Sequence, residues 1–133
     1  MEDTNVEAAT VLVLGARLGG SHVIESLISV GITIRGVYDL DANAPGIALA
    51  RKRGVPVYVG NTGEINRLFQ ICSDDDQRDF HVFLPTRDPR FLRFVSGVEA
   101  QWRAKGVKNF TMHRLGEDFE DYERAHDLLA LTS

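Results

Sequence analysis

Cysteine is nearly missing from this chain: Cys72 is the only one in 133 residues. A disulfide framework needs pairs and a cysteine-based zinc site needs several ligands, so neither organises the fold. No apolar run approaches the roughly 18 residues a membrane span requires. Met1 to Ala9 is too acidic and polar for a secretory signal. Cationic residues are also short, with 15 Lys and Arg against 19 Asp and Glu and a net charge of −4, whereas a nucleic-acid surface is normally basic. The Gly-Lys-Ser/Thr of a P-loop is absent. There is no internal repeat, linker or low-complexity tract. What is present is an ordinary globular composition, 44% apolar and 26% charged, in a chain long enough to bury its own core. These features predict a soluble, cytoplasmic protein with a loose lead-in over 1–9 and a single domain over 10–133.

The apolar pattern then alternates between two periods. Thr10 to Leu14 is a continuous apolar run closed by glycine, as expected of a strand buried on both faces. Val23, Ile24, Leu27 and Ile28 form a helical stripe, placing a helix from Gly20 or Ser21 to Gly31. A second strand spans 32–38 and ends in Asp39. Asp41 or Asn43 is positioned to cap the next helix, with Pro45 in its first turn and Gly54 as its stop. A short strand over 55–59 contains Pro56, which suits a sheet edge. Glu64 to Cys72 reads as a helix, 80–84 as a strand, and 89–105 as a long helix facing inward through Phe91, Phe94, Val95, Val98 and Trp102. A fifth strand over 107–113 and a last helix over 117–131 complete the series. Alternation of this kind predicts an α/β fold: a five-stranded, doubly wound parallel sheet with helices on both faces.

Within that frame, Gly15-Ala16-Arg17-Leu18-Gly19-Gly20 sits between the first strand and the first helix. Asp39 follows Gly15 by 24 positions, near the spacing of about 20 that separates a dinucleotide fingerprint from its ribose-binding acid. The full fingerprint is G-x-G-x-x-G. Gly15 fits the tight turn and Gly20 the close helix–strand packing, but Arg17 stands where the middle glycine lets backbone approach phosphate. Two roles are open to Arg17. Its guanidinium could clamp the pyrophosphate, or it could fill the groove of a domain that no longer binds nucleotide.

These residues resemble the Rossmann NAD(P)-binding superfamily. In layout the chain is most similar to the compact nucleotide-binding domains of potassium-conductance regulators (the RCK or KTN type). That likeness covers nearly the whole chain and includes the Gly54-Val55-Pro56-Val57-Tyr58 strand, Gly60-Asn61-Thr62, Leu68 and the Arg87-Asp88 turn. A partial likeness to the N-terminal domains of sugar-type oxidoreductases rests on the same Gly-Val-Pro-Val strand. Two departures, Arg17 for glycine and Asn61 for aspartate, fall at the expected ligand. The resemblance implies nucleotide contacts at Gly15, Arg17, Leu18, Gly19, Gly20, Asp39, Leu40, Asn61, Thr62 and Thr86. It implies NAD(H) ahead of NADP or another adenine nucleotide, because a 2′-phosphate would meet the Asp39 carboxylate. It also implies dimers formed through helices beside strand five, with Phe94, Trp102, Phe119 and Tyr122 as the residues to inspect.

The residues themselves leave three functions open. One is a regulatory or interaction module that senses nucleotide without chemistry, since the chain is used up by the Rossmann unit. The second is an oxidoreductase fragment or subunit needing a partner, although no convincing acid/base stands out. The third is a degenerate scaffold binding protein alone. A methyltransferase holding S-adenosylmethionine ranks below these. Other features read as structural. Arg51-Lys52-Arg53 is a solvated helix end complementing the helix dipole, Asp74 to Asp76 with Asp79 an acidic loop, and Cys72 a core residue. His22 reads as a capping or exposed histidine. His81 and His113 occupy strand positions without metal-ligand spacing. Gly19-Gly20-Ser21-His22-Val23 lacks the final glycine of a nucleophile elbow.

Overall fold

The structure is a computed structural model that describes residues 10–74, 79–107 and 109–114. Strands β1 (Thr10–Leu14), β2 (Ile34–Asp39), β3 (Val57–Val59), β4 (Phe80–Leu84) and β5 (Phe110–Arg114) alternate with helices α1 (Leu18–Ser29), α2 (Pro45–Lys52), α3 (Thr62–Asp74) and α4 (Pro89–Ala104). The strands form one five-stranded sheet in the order β3-β2-β1-β4-β5, and every pairing is parallel. Chain order reverses between β1 and β4. In open parallel sheets, such a reversal leaves a crevice at the carboxyl ends of the strands.

Side-chain alternation along the strands explains the double winding. Val11, Val13 and Val37 point to one face and meet Val23, Ile24 and Leu27 of α1 and Ile47 and Ala50 of α2. Ile34 joins them because the β1–β2 register shifts by one residue before Gly36. Leu12, Leu14, Tyr38, Phe80, Val82 and Leu84 point to the other, against Ile65, Leu68 and Phe69 of α3 and Phe91, Val95, Val98 and Trp102 of α4. Central strands β1 and β4 are buried at every position, which is why they read as unbroken apolar runs. On the α3/α4 side the core is aromatic. Phe69 stacks on Trp102 at 5.4 Å and meets Phe80 and Phe110 edge-on at 6.0 and 5.7 Å. Trp102 also donates its indole N–H to Asn66 Oδ1 at 2.8 Å, satisfying the polar end of a buried ring. Gly36 leaves room beneath this layer for Leu68, whose Cδ1 a Cβ there would approach to 2.4 Å.

Several boundaries differ from the sequence expectation. Helix α1 begins at Leu18 rather than Gly20 or Ser21, so both Gly19 and Gly20 lie inside its first turn. Neither Asp41 nor Asn43 caps α2. Ala44 holds the N-cap position with no side-chain bond, and Pro45 opens the helix. The Asp41 carboxylate is spent one turn earlier, accepting the Asn43 N–H at 2.9 Å. Strand β3 starts after Pro56 at the sheet edge, and β5 starts at Phe110 rather than Val107. The expected helix over 117–131 lies outside the described residues, as do Asp75 and Asp76. So do Phe119 and Tyr122, and no side-chain description extends to Cys72. Trp102 is buried and Phe94 is half-buried against Tyr38, so α4 turns these rings into its own sheet. Among the described residues, no helix is long and apolar enough to cross a membrane.

Candidate functional site

The chain leaves β1 through Gly15, whose φ of +115° is the left-handed region a side chain disfavours. Its N–H donates to the Tyr38 carbonyl at 2.8 Å, extending the β1–β2 ladder into the turn. Helix α1 then packs hard against that turn. A Cβ on Gly20 would fall 2.0 Å from the Gly15 carbonyl oxygen and 2.8 Å from its carbon. Gly15 thus makes the sharp turn and Gly20 permits the close helix approach, as the fingerprint requires of its first and third glycines.

Arg17 occupies the N-cap position of α1 in extended backbone, and its side chain makes no capping bond. The leading N–H groups of a helix have no intrahelical partners, so α1 presents donors and the positive end of its dipole at the sheet's switch point. The Arg17 side chain is exposed. It leans on the rim of a cleft of about 340 Å3, open mouth included, lined by Gly15, Arg17, Asp39, Leu40, Pro85, Thr86, Asp88 and Phe91.

Asp39 forms the opposite wall. It is 4% exposed, and both carboxylate oxygens are engaged: Oδ2 accepts the Ala16 N–H at 2.7 Å and Oδ1 the Asp41 N–H at 2.8 Å. A carboxylate has about four acceptor positions, so each oxygen retains one for a ligand hydroxyl. Asp39 therefore both pins the glycine turn and faces the cleft. Ala16 is fixed from a second side as well, since its carbonyl accepts the Gly46 N–H at the start of α2. A Cβ on Gly46 would come 2.6 Å from that same oxygen. Leu40 stands next to Asp39, 49% exposed, one of two large apolar side chains left open to solvent among the described residues.

The β4 side of the cleft has a different character. Pro85 and Phe91 close the floor against Gly15: a Cβ on that glycine would meet Phe91 Cε2 at 3.6 Å and Pro85 Cδ at 3.8 Å. Phe91 rests on Tyr38, with centroids 6.3 Å apart. Tyr38 is fully buried, its hydroxyl donates to the Gly60 carbonyl, and desolvation followed by the charges of Asp39 and Glu64 pushes its pKa up to about 12. It is a neutral structural donor at ordinary pH. Asp88 caps α4, its Oδ1 accepting the Arg90 N–H at 3.0 Å. Thr86 Oγ1 accepts the Asp88 N–H at 3.1 Å. Unlike α1, then, α4 meets the cleft with its N-terminus already neutralised.

Of the predicted contacts, Gly15, Arg17, Asp39, Leu40 and Thr86 converge on this cleft. Gly19 and Gly20 lie buried in the first turn of α1, behind the rim. Leu18 contributes the first helical residue. Asn61 and Thr62 are exposed beyond β3 and are not among the lining residues. Asn61 Oδ1 accepts the Gly63 N–H at 2.9 Å, serving the start of α3. Sequence reasoning missed Asp88, Pro85 and Phe91 as cleft residues, although all three flank Thr86 in the loop and helix start after β4.

It also missed a polar pair away from the cleft. His81 of β4 and His113 of β5 are both buried, with His81 Nδ1 3.0 Å from His113 Nε2 and the rings stacked at 5.2 Å. Desolvation lowers the pKa of His81 despite the opposing charge of Asp79. Desolvation and the neighbouring His81 lower that of His113 to about 4. Two neutral imidazoles sharing one hydrogen bond satisfy each other. Among the described residues, no group of three or more His, Cys, Asp or Glu is placed to hold a metal ion.

No protein-family model matches this chain, and no curated protein matches it in sequence. The class is therefore set by the fold: a doubly wound, Rossmann-like α/β sheet with a cleft at its switch point.

Proposed function

We propose that this cleft binds a nucleotide with free ribose hydroxyls, NAD(H) or a related adenine nucleotide, and that the chain acts as a binding and sensing module. One observation carries the reading: Gly15 of the turn, Arg17 at the N-cap position of α1 and Asp39 at the end of β2 line one cleft. Each group answers a different part of a nucleotide. Backbone N–H groups and a guanidinium suit phosphate oxygens. The remaining acceptor positions of Asp39 suit a ribose diol, and repel a 2′-phosphate. Leu40 offers an apolar surface to a base.

Arg17 favours the clamp over the plug. Its side chain is exposed, forms no ion pair among the described residues, and borders open volume rather than filling it. The cleft's polar side chains are otherwise committed to backbone: Asp39 to Ala16 and Asp41, Thr86 to Asp88, Asp88 to Arg90. Groups so engaged hold a ligand in place, and none is positioned as a poised acid or base, which supports binding without turnover. A module of this kind acts by shifting its pairing with a second copy or another chain on ligand binding.

One observation favours a second reading, a scaffold that binds protein alone. Both Asp39 oxygens already serve the turn, so the carboxylate has a structural reason to be there. Calorimetric titration with NAD, NADH, NADP and AMP separates the two. Saturable binding that weakens in Arg17→Ala supports the nucleotide module. Flat titrations with all four ligands refute it.

A further inference from the structure

We propose that the acidic stretch from Glu117 to Asp121 is a tethered counter-anion for the cationic carboxyl edge of the sheet, where it competes with a phosphate-bearing ligand for Arg17. The competition rests on the nucleotide reading above; the contact itself does not.

Charge is divided unevenly along the chain. Residues 10–114 hold 14 of the 15 Lys and Arg but only 10 of the 19 Asp and Glu, so the net −4 conceals a basic body between acidic ends. Residues 115–133 carry six acids against the single base Arg124.

Part of the positive charge is placed against local preference. Helix N-termini favour acidic residues, yet neither α1 nor α4 has one in its first turn. Each carries arginine instead: Arg17 at the N-cap position of α1 and Arg90 as the second residue of α4, both exposed. Arg87 is exposed in the loop between β4 and α4. Both helices start at the carboxyl ends of strands, so these cations add to two positive dipole ends at one edge. The carboxylates of Asp39 and Asp88 beside them are engaged by backbone N–H groups. Departures from local rules are expected where function imposes them, and these favour an anion.

Topology brings an anion to that edge. The chain leaves β5 at Arg114, in register with Leu84 at the end of β4. Glu117, Asp118, Glu120 and Asp121 follow within seven residues, a reach of up to about 25 Å at roughly 3.5 Å per residue. β1, which delivers Arg17, lies two strands from β5, about 10 Å away at about 4.8 Å per strand. The tether is therefore long enough to reach Arg17, and short enough to hold its charges at an effective concentration in the millimolar range.

The test is amide NMR on the full chain and on a variant carrying Glu117→Gln, Asp118→Asn, Glu120→Gln and Asp121→Asn. The amides of Ala16, Arg17, Arg87 and Arg90 are expected to differ in shift between the two proteins, and the difference to shrink at high salt. Arg90→Gln, an exposed change, should lessen the salt-induced shifts of the wild type from the rim side. Inorganic pyrophosphate titrated against the same amides should bind the neutralised variant about fivefold more tightly, as the loss of two exposed ion pairs of ordinary strength would give. A control with Asp74→Asn, Asp75→Asn and Asp76→Asn removes three charges beside the far end of α3 and should change neither readout. Shifts confined to the neighbourhood of the substitutions overturn the contact. Equal pyrophosphate affinities, or an equal gain in the control, overturn the tethered competition. If pyrophosphate moves no amide of the glycine turn in either protein, the nucleotide reading falls and the competition with it, while the ligand-free comparison still decides the contact.

Discussion

Replacing Gly20 by alanine should cost far more than the loss of one helical glycine suggests. In an exposed helix interior, alanine is better than glycine by about 0.8–1 kcal/mol. Gly97 in α4 provides that case, since it is exposed and a Cβ there meets nothing within 4 Å. Gly97→Ala should therefore stabilise by about 0.5–1 kcal/mol. At Gly20 the new methyl lands 2.0 Å from the Gly15 carbonyl oxygen. Carbon and oxygen need more than about 3 Å at van der Waals contact, so α1 and the turn must part by roughly 1 Å. Overpacking costs typically 1–3 kcal/mol, and the upper end applies because the obstacle is backbone that cannot rotate away. Subtracting the helix gain leaves a net loss of about 2 kcal/mol. For a domain of this size that lowers Tm by roughly 6–10 °C. Urea denaturation of Gly20→Ala and Gly97→Ala beside the wild type reads both signs in one experiment. Equal stability of Gly20→Ala and wild type would refute the close approach of α1 to the turn, and with it the geometry of the proposed phosphate end.

Further outcomes follow from the same structure. Stability should fall on acidification from near pH 6.5 towards 4. His81 and His113 have folded pKa values below their unfolded ones, so their contribution is complete above the unfolded value and drains away as unfolding takes up protons. The slope tends toward about 1.4 kcal/mol per pH unit for one proton. His113→Gln should flatten the urea midpoint against pH over that window, and an unchanged curve contradicts the assignment. Arg17→Ala should leave urea stability within about 0.5 kcal/mol but weaken a phosphate-bearing ligand by about tenfold, with reduced salt dependence in calorimetry. Asp88→Ala should destabilise by about 1 kcal/mol through the lost α4 cap, whereas Asp88→Asn should not. Equal losses in both variants would mean that charge rather than capping matters there.

Strand and helix identity was legible because burial dictates period. β1 and β4 need apolar residues at every position, and α4 needs them on one stripe, so Phe80 to Leu84 and the Phe91–Trp102 face could be read directly. Helix starts were harder. Two adjacent glycines argue against helix by intrinsic propensity, yet α1 begins before them because Gly15 tolerates nothing larger alongside. The Asp41 carboxylate had a competing local partner in Asn43, which moved the α2 cap to Ala44. At the site, the glycine turn and Asp39 announced themselves by spacing. The Asp88 cap of α4 and the Asp39–Asp41 contact are local, two residues apart, and Asp88 before Pro89 is a readable helix start. The bond from Ala16 to Asp39 and the meeting of His81 with His113 join distant segments, which no local sequence pattern encodes.

Ala16 has a mechanical meaning beyond its place in the turn. Its N–H is held by the end of β2 and its carbonyl by the first turn of α2. The peptide units beside Gly15 are therefore joints in a closed linkage of three segments, and none moves independently of the others. The Gly46 hydrogen bond thus couples the position of the glycine turn to the start of α2. The far end of α2 carries Arg51 and Lys52 into solvent. The same helix that is pinned to the turn at its start is therefore tied to α1 just beyond its charged end, where Arg53 pairs with Glu25.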